Sequence, residues 1–257
     1  MTAMPAEVTT PRKILVPIDI YGVSPKSLET LVSIAGKMQR GLLALMLEDV
    51  RLQQVADLPF TTEILLHGCE ERNLQRQQLC RRHNQASTDA GSLLKKLASR
   101  GQVELVLENV VGDRMHAALG RESNIDIFFP ARQHWRPAPV LQRARHKAIP
   151  RLGCVLADTA QDQAVVETAQ LLQRAGLVGD SYVLSTTAPG RAVLESLRQS
   201  GSRVYVQANL HPTIIGEMLR HSPYDLLLLP RACLLGTTAQ ALAAALENAS
   251  GQILVIN

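Results

Sequence analysis

The sequence predicts an α/β fold built from two similar halves, each forming a doubly wound parallel sheet, and three observations support this prediction. An apolar run, an Asp, a helical stretch, a Gly and a second apolar run occur at 13–49 and again at 151–187. A later pair, NIDIFFPAR at 124–132 and PYDLLLLPRA at 223–232, also matches. Short apolar runs alternate with helical stretches, which is typical of parallel sheets.

The repeat is long enough to be a duplicated domain, because its period of roughly 130 residues exceeds that of solenoid units. We therefore divide the chain into residues 1–150 and 151–257. The halves are expected to pack as an internal pseudo-dimer, so the interface between them is a candidate location for a site.

The elements of the first half follow from its apolar periodicity. A buried-type strand is predicted at 14–18, and Ser24 with Pro25 predicts the start of a helix that ends at Gly41. A second strand follows, then a loop through Pro59 and a long polar stretch with helical spacing in its later part. The remaining predictions are strands at 42–47, 103–110 and 125–129 and a helix at about 114–123.

The second half repeats this order more compactly. Strands are predicted at about 152–157, 181–185, 203–207, 225–229 and 252–256, and helices at about 161–175, 190–200, 213–221 and 237–249. Ligands of such folds bind beyond the carboxyl ends of the strands, where the strand order reverses. The strand-end residues are therefore the candidates: Asp19, Gly112, Pro130, Asp158 and Pro230.

Composition restricts the class of protein. Apolar residues make up 46% of the chain, and aromatic residues only 3%, so an aliphatic core is expected. The longest apolar runs fall far short of the roughly 20 residues that a membrane helix needs. Four scattered Cys without a CxxC pair fit a reducing compartment, and we expect a cytoplasmic protein.

A basic segment joins the halves. Between Asp126 and Asp158 no residue is acidic, whereas six are basic: Arg132, Arg136, Arg143, Arg145, Lys147 and Arg151. Four prolines in this stretch indicate a connection. We expect residues 132–151 to be an exposed linker, and binding of nucleic acid is not favoured because Trp135 is the only aromatic residue among these charges. Docking of an acidic partner is the alternative.

The opening KILVPID, a capped helix and a second strand ending in Glu-Asp resemble the start of universal stress proteins. The turn at Val111, Gly112 and Asp113 and the closing strand at 252–256 are also similar to that family. The resemblance covers both halves and implies a tandem protein with an adenine-nucleotide-hydrolase-like, or flavodoxin-like, fold. One departure is that the first half has no clean fifth strand.

In that family some members bind ATP through a Gly-x2-Gly-x9-Gly-Ser/Thr pattern after the fourth strand, since Gly lets the backbone approach phosphates. Here Pro130 and Pro230 stand where the first Gly belongs, so the resemblance implies a degenerate nucleotide site and no bound cofactor. The residues that a weak ATP site would use are Asp19, Gly112, Arg132, Asp158, Arg231, Gly236 and Thr237. Ordinary turn, cap and surface roles are the favoured explanation of these residue types.

No catalytic or metal motif emerges. His67, Cys69, Cys80 and His83 are zinc-type ligands, but on one helix Cys69 and Cys80 would lie about 16 Å apart, too far to share a metal ion. There is no GxSxG, Walker or HExxH pattern. We expect a non-enzymatic, universal-stress-like regulatory or binding protein with an unknown protein partner and possible further homodimerisation. The alternatives are a weak adenine-nucleotide binder or hydrolase using Asp19 or Asp158 with a loop Arg, and an interaction module that docks an acidic partner through the linker.

Overall fold

The structure, a computed structural model, describes residues 12–19, 22–48, 54–64, 71–112, 114–121, 125–131, 147–199, 202–210, 223–234 and 251–257. The strands are β1 Lys13–Asp19, β2 Gly41–Glu48, β3 Thr62–Ile64, β4 Glu71–Asn73, β5 Leu105–Val111, β6 Asp126–Phe129, β7 Ile149–Leu156, β8 Val178–Ser185, β9 Val204–Gln207, β10 Leu226–Pro230 and β11 Gln252–Ile256. The helices are α1 Pro25–Met38, α2 Arg76–Gly101, α3 Arg114–Leu119, α4 Asp162–Arg174 and α5 Arg191–Arg198, with a 3₁₀ turn at Arg231–Leu234. The predicted helices at 213–221 and 237–249 lie outside the described residues.

Nine of these strands form one continuous, mostly parallel sheet in the order β5-β2-β1-β6-β11-β10-β7-β8-β9. The α/β class is confirmed, but the prediction of two separate sheets is wrong. The reason lies in β11, which pairs in parallel with β10 and antiparallel with β6. One closing strand thus joins the strands of both halves into a single sheet. Strand β11 lies beside β6, in the position that a fifth strand of the first half would occupy.

Both halves have the same strand order when each is followed inward from its outer strand. The first half runs β5-β2-β1-β6 and the second runs β9-β8-β7-β10, so each places its third, second, first and fourth strands in sequence. The duplicated pattern in the sequence therefore corresponds to a duplicated topology.

Alternating side chains of the strands pack into two hydrophobic cores, one on each face of the sheet. In β1, Ile14, Val16 and Ile18 belong to the core under α1, α2, α4 and α5. Leu15 faces the opposite core, to which Phe129 also contributes. Strands buried on both faces read as continuous apolar runs, which is why the short apolar stretches predicted them.

Helix α1 begins where the sequence indicates, although its ends differ in detail. Ser24 has the extended backbone of an N-cap, but its hydroxyl makes no capping hydrogen bond, and Pro25 is at the first helical position. The helix ends before Gly41, because Gln39 adopts a left-handed conformation with φ of 53° and bonds back to the carbonyls of Ala35 and Gly36. A non-Gly residue thus serves as the C-cap.

An acidic residue begins β6 in the first half, and another directly precedes β10 in the second. Asp126 is buried, forms an ion pair with Arg40 and accepts a hydrogen bond from the backbone N–H of Asn257 at 3.0 Å. Asp225 instead accepts from the backbone N–H of Arg151 at 3.0 Å and from its Nε at 3.3 Å. The repeated Asp before the apolar run is therefore a structural residue that ties neighbouring strands together.

Candidate functional site

The carboxyl ends of the strands lie at opposite edges of the sheet in the two halves, because β11 runs with the second half and antiparallel to β6. Asp19 ends β1 at one edge, and Asp158 follows β7 at the other. The structure thus does not bring these two carboxylates into a single site between the halves. Each edge has to be considered separately.

At the edge of the first half, the candidate residues are two strands apart. Asp19 is half-buried at the end of β1, whereas the N–H of Gly112 donates to the carbonyl of Glu48 at 3.2 Å beside β5. With β2 between them, neighbouring-strand spacing separates their backbones by roughly 10 Å. Gly112 has a φ of 141°, which favours glycine, and a Cβ there would meet open space.

A buried arginine occupies the same edge. Arg114 is 5% exposed, its Nη2 donates to the carbonyl of Pro130 at 2.6 Å, and its guanidinium lies over the Phe129 ring at 5.2 Å. The N–H of Ala131 donates to Ser27 Oγ at 3.2 Å. The turn after β6 is therefore held by the side chains of Arg114 and Ser27.

The edge of the second half contains a cavity of about 240 Å³ beyond the ends of β7 and β8. Its polar lining comes from the loop after β7, the start of α4, the end of β8 and the segment that follows β8. Its apolar lining includes Leu156, Val166 and Val193. The polar residues are Asp158, Asp162, Gln163, Ser185 and Thr187. The cavity also reaches Gly190, the N-cap of α5, whose side-chain-free position leaves the helix start open.

Asp162 is already engaged within this loop. Its carboxylate accepts hydrogen bonds from the N–H groups of Ala157 and Asp158 at 3.3 and 3.0 Å and from the Thr159 hydroxyl at 2.6 Å. Asp158 is exposed and has a left-handed φ of 59°, a conformation that Asp tolerates better than most residues. Asp162 therefore shapes the loop, and Asp158 is the carboxylate that faces solvent at the cavity.

Arg231 follows β10 at this edge, and its guanidinium is directed into the protein. The residue is 8% exposed and makes long hydrogen bonds from Nη1 to the carbonyl of Ile125, 3.4 Å, and from Nη2 to that of Arg121, 3.5 Å. Both acceptors belong to the first half, so Arg231 links the halves. This is the contact pattern of a structural arginine.

The described thiols in the two cores are held in the protonated form. Burial raises the pKa of Cys154 to about 12. Burial, followed by the negative charge of Asp162, raises the pKa of Cys233 to about 11. A nucleophilic cysteine needs a lowered pKa, so neither residue has the environment of a catalytic thiol.

Several sequence candidates lie outside the described residues: Arg132, Gly236, Thr237, His67 and Cys69. Cys80 and His83 lie on α2, and within the described ranges no three His, Cys, Asp or Glu side chains form a group that could hold a metal ion. None of the helices in the described part of the chain is both long and apolar enough to span a membrane.

Sequence reasoning missed the polar end of β8 and the segment after it, which supply Ser185, Thr187 and Gly190. A signal was present, because the second apolar run of this half ends in Ser-Thr-Thr and is followed by Pro and Gly. Polar residues directly after a parallel strand are site candidates by the same strand-end rule that selected Asp158.

Comparison with known proteins adds the following. No family model and no curated protein matches the chain. A universal stress protein from Archaeoglobus fulgidus DSM 4304 is similar in structure, with 11% identity, coverage of 95% of each chain and a TM-score of 0.47. A thioredoxin reductase from Gloeobacter violaceus shares 12% identity over 77% of this chain and 61% of its own, with a TM-score of 0.19. The fold itself defines an α/β protein with a mostly parallel sheet.

Proposed function

We propose that this chain is a non-enzymatic binding protein of the universal-stress type, with two halves arranged as an internal pseudo-dimer, that acts in the cytoplasm as a regulatory factor in a stress response. The repeated strand order of the halves supports the tandem arrangement, together with the sequence motifs at both strand ends. Regulation would operate through a protein partner whose identity the chain does not specify.

The observation that carries the proposal is the way the strand-end groups are used. Pro230 ends β10 and Arg231 bonds to backbone carbonyls of the first half, while Asp162 caps its own loop. A triphosphate needs several free donors in one place. Among the described candidates, Arg231 carries the donors that could bind a phosphate, and these bond instead to backbone carbonyls, which supports a degenerate nucleotide site.

A second candidate function, weak binding or hydrolysis of adenine nucleotide, is favoured by one observation. The cavity beside Asp158 lies at the carboxyl ends of β7 and β8, where such folds bind ligands, and the start of α5 opens into it. Its volume of about 240 Å³ is below the usual 300–1,000 Å³ of small-molecule pockets, so a ligand would be smaller than a nucleoside triphosphate.

Calorimetric titration with adenosine and with ATP tests the proposal. We expect no ATP binding tighter than about 1 mM, and any adenosine binding to be at least as tight as that of ATP, because phosphates gain nothing from the described groups. Asp158→Ala reports on the cavity, and Asp19→Ala at the opposite edge is the matched control. Micromolar ATP affinity that Asp158→Ala abolishes would overturn the proposal in favour of the nucleotide binder, and ATP turnover would do the same.

A further inference from the structure

The first half carries an insertion that the second half lacks. The connection between β2 and its following helix runs from 49 to 75, whereas the corresponding connection between β8 and α5 runs only from 186 to 190. Helix α2 is also longer, with 26 residues against 8 in α5. Its buried residues, Ala90, Gly91, Leu94 and Ala98, all lie in its second half. Most of residues 76–89 therefore extends beyond the core, and Ala86 packs against the core's margin.

We call residues 54–64 and 71–89 the arm, since they form a unit of their own. The hairpin of β3 and β4 is attached to α2 through Glu63, which pairs with Arg72 and with Arg82. Asp57 pairs with Arg76 at 3.0 Å. These cross-links fix the hairpin and the preceding turn on the helix.

The arm displays a set of large apolar side chains to solvent. The exposed fractions are 41% for Val55, 59% for Leu58, 98% for Phe60 and 71% for Ile64. Phe60 and Ile64 are the two most exposed large apolar residues of the described chain, and Leu58 is the fourth. The third is Val111, which is 65% exposed and lies on the edge strand β5. The apolar exposure is therefore concentrated in the arm.

The turn that contains Phe60 has a defined backbone conformation that hydrogen bonds stabilise. Phe60 has a φ of 66°, which is unusual for a bulky residue and has a cost of the order of 1 kcal/mol or more. The next residue secures it, because the Thr61 hydroxyl donates to the carbonyls of Val55 at 2.9 Å and Leu58 at 3.1 Å. A strained backbone thus holds an aromatic side chain in water.

We propose that the arm is a self-association surface, and that its occupant is the arm of a second copy of this chain. The exposed fractions correspond to roughly 450 Å² of side chain per protomer, taking on the order of 150–200 Å² for each full side chain. Two such surfaces would bury roughly 900 Å², close to the 1,000 Å² or so that a specific interface needs.

The short length of the hairpin also favours a second copy of this chain as the occupant. Strands β3 and β4 have three residues each and pair only with one another among the described residues. An isolated two-stranded hairpin is marginally stable in water, and additional strands or packing stabilise it. A two-fold contact gives both hairpins the same support at once, because each surface is its own complement.

Charge disfavours an anionic occupant. Acidic and basic residues are equal in number over the described arm. Glu63 and Asp57 neutralise arginines within the arm, and Glu71 accepts from the Thr62 hydroxyl at 2.7 Å. Binding to nucleic acid or to an anionic membrane depends on an excess of Lys and Arg, which this surface does not have. The arm of a second copy presents the same neutral, apolar surface and is therefore complementary to it.

Sedimentation velocity over a concentration series tests this proposal on the full chain. We expect a reversible dimer with a Kd in the micromolar range, and the double change Phe60→Ser and Ile64→Ser should weaken it at least tenfold, because each dimer loses both side chains twice. Val111→Ser removes a comparably exposed apolar side chain outside the arm and should leave the Kd unchanged. Far-UV circular dichroism checks that the variants are folded, and Leu58→Asp is an independent second variant.

Three results would overturn the proposal. The first is a wild-type chain that stays monomeric up to about 100 µM, a concentration well above a micromolar Kd. The second is a dimer whose Kd the arm variants do not change. The third is co-sedimentation of the monomer with vesicles rich in phosphatidylserine that is lost with the Phe60 and Ile64 changes, since this would assign the surface to a membrane. The test does not involve the cavity beside Asp158, so its outcome is separate from that of the nucleotide titration.

Discussion

Asp126 and Asp225 occupy the same place in the repeated sequence, yet their replacement should have unequal effects on stability. Asp126 is 3% exposed at the junction of β6 and β11, where it pairs with Arg40, whose side chain is 19% exposed. Removing one partner of a buried ion pair costs about 3–5 kcal/mol, because the other charge remains buried without compensation. The N–H of Asn257 loses its acceptor as well. We therefore expect Asp126→Ala to lower the free energy of unfolding by about 3 kcal/mol or more.

The matched change is Asp225→Ala. The side chains of Asp225 and Arg151 are 27% and 40% exposed, so water screens the pair and can solvate the arginine that remains. We expect the free energy of unfolding to fall by about 1–2 kcal/mol, mainly because the backbone N–H of Arg151 loses Asp225 as its acceptor.

Urea unfolding followed by circular dichroism measures both variants, and thermal unfolding gives a second reading. A change of 1 kcal/mol shifts the Tm of a chain of this size by about 2–4 °C, so the Asp126 variant should melt roughly 10 °C lower. Changing Arg40 and Asp126 together to Leu should cost less than the sum of the single changes, because no buried charge is left over. An Asp225→Ala variant that is as destabilised as Asp126→Ala would refute the reasoning from burial.

Two further predictions follow from close packing and from burial. Gly179→Ala should destabilise the protein by about 2 kcal/mol in urea unfolding, since its Cβ would lie 2.5 Å from the carbonyl oxygen of Pro150, whereas Gly190→Ala, with open space around its Cβ, should be nearly neutral. The rate at which iodoacetamide alkylates Cys233, followed by mass spectrometry, should rise throughout the range from pH 7 to 11, because the pKa of the thiol is raised to about 11. Asp162→Asn should shift this rate profile to lower pH, because it removes the negative charge that disfavours the thiolate. A Cys233 profile that levels off near pH 8.5 would show that burial does not protect this thiol.

The sequence predicts most strands of the sheet because their apolar runs are continuous. Strands buried on both faces leave no ambiguity between a surface loop and a core element, and β10 at Leu226–Pro230 and β11 at Gln252–Ile256 are found within a residue or two of their predicted ends. The α/β class follows from the same regularity.

Pairing between the halves is not readable in the same way. The side chains of β11 are all buried, and nothing in its pattern distinguishes a strand that ends one sheet from a strand that joins two. The hairpin of β3 and β4 was also missed, because Glu63 and Arg72 on its inner face form ion pairs instead of an apolar stripe. The short strands of such a hairpin show no hydrophobic alternation to detect.

The candidate site was predicted in position but not in detail. The strand-end rule selects Asp158 and the edge on which the cavity lies. The use of Arg231 could not be foreseen, because its acceptors are backbone carbonyls near Arg121 and Ile125, more than a hundred residues away in the chain. Carbonyl groups leave no trace in the sequence, so such contacts appear only in the fold.

Strand β11 belongs to the second half of the chain but completes the sheet of both halves. Its register places Leu254 opposite both Phe128 of β6 and Leu228 of β10, so a single residue belongs to two strand pairs of opposite polarity. A substitution in this strand is constrained by neighbours in both halves of the chain. Without β11, β6 would have an open apolar edge, because the last strand of the second half completes the sheet of the first.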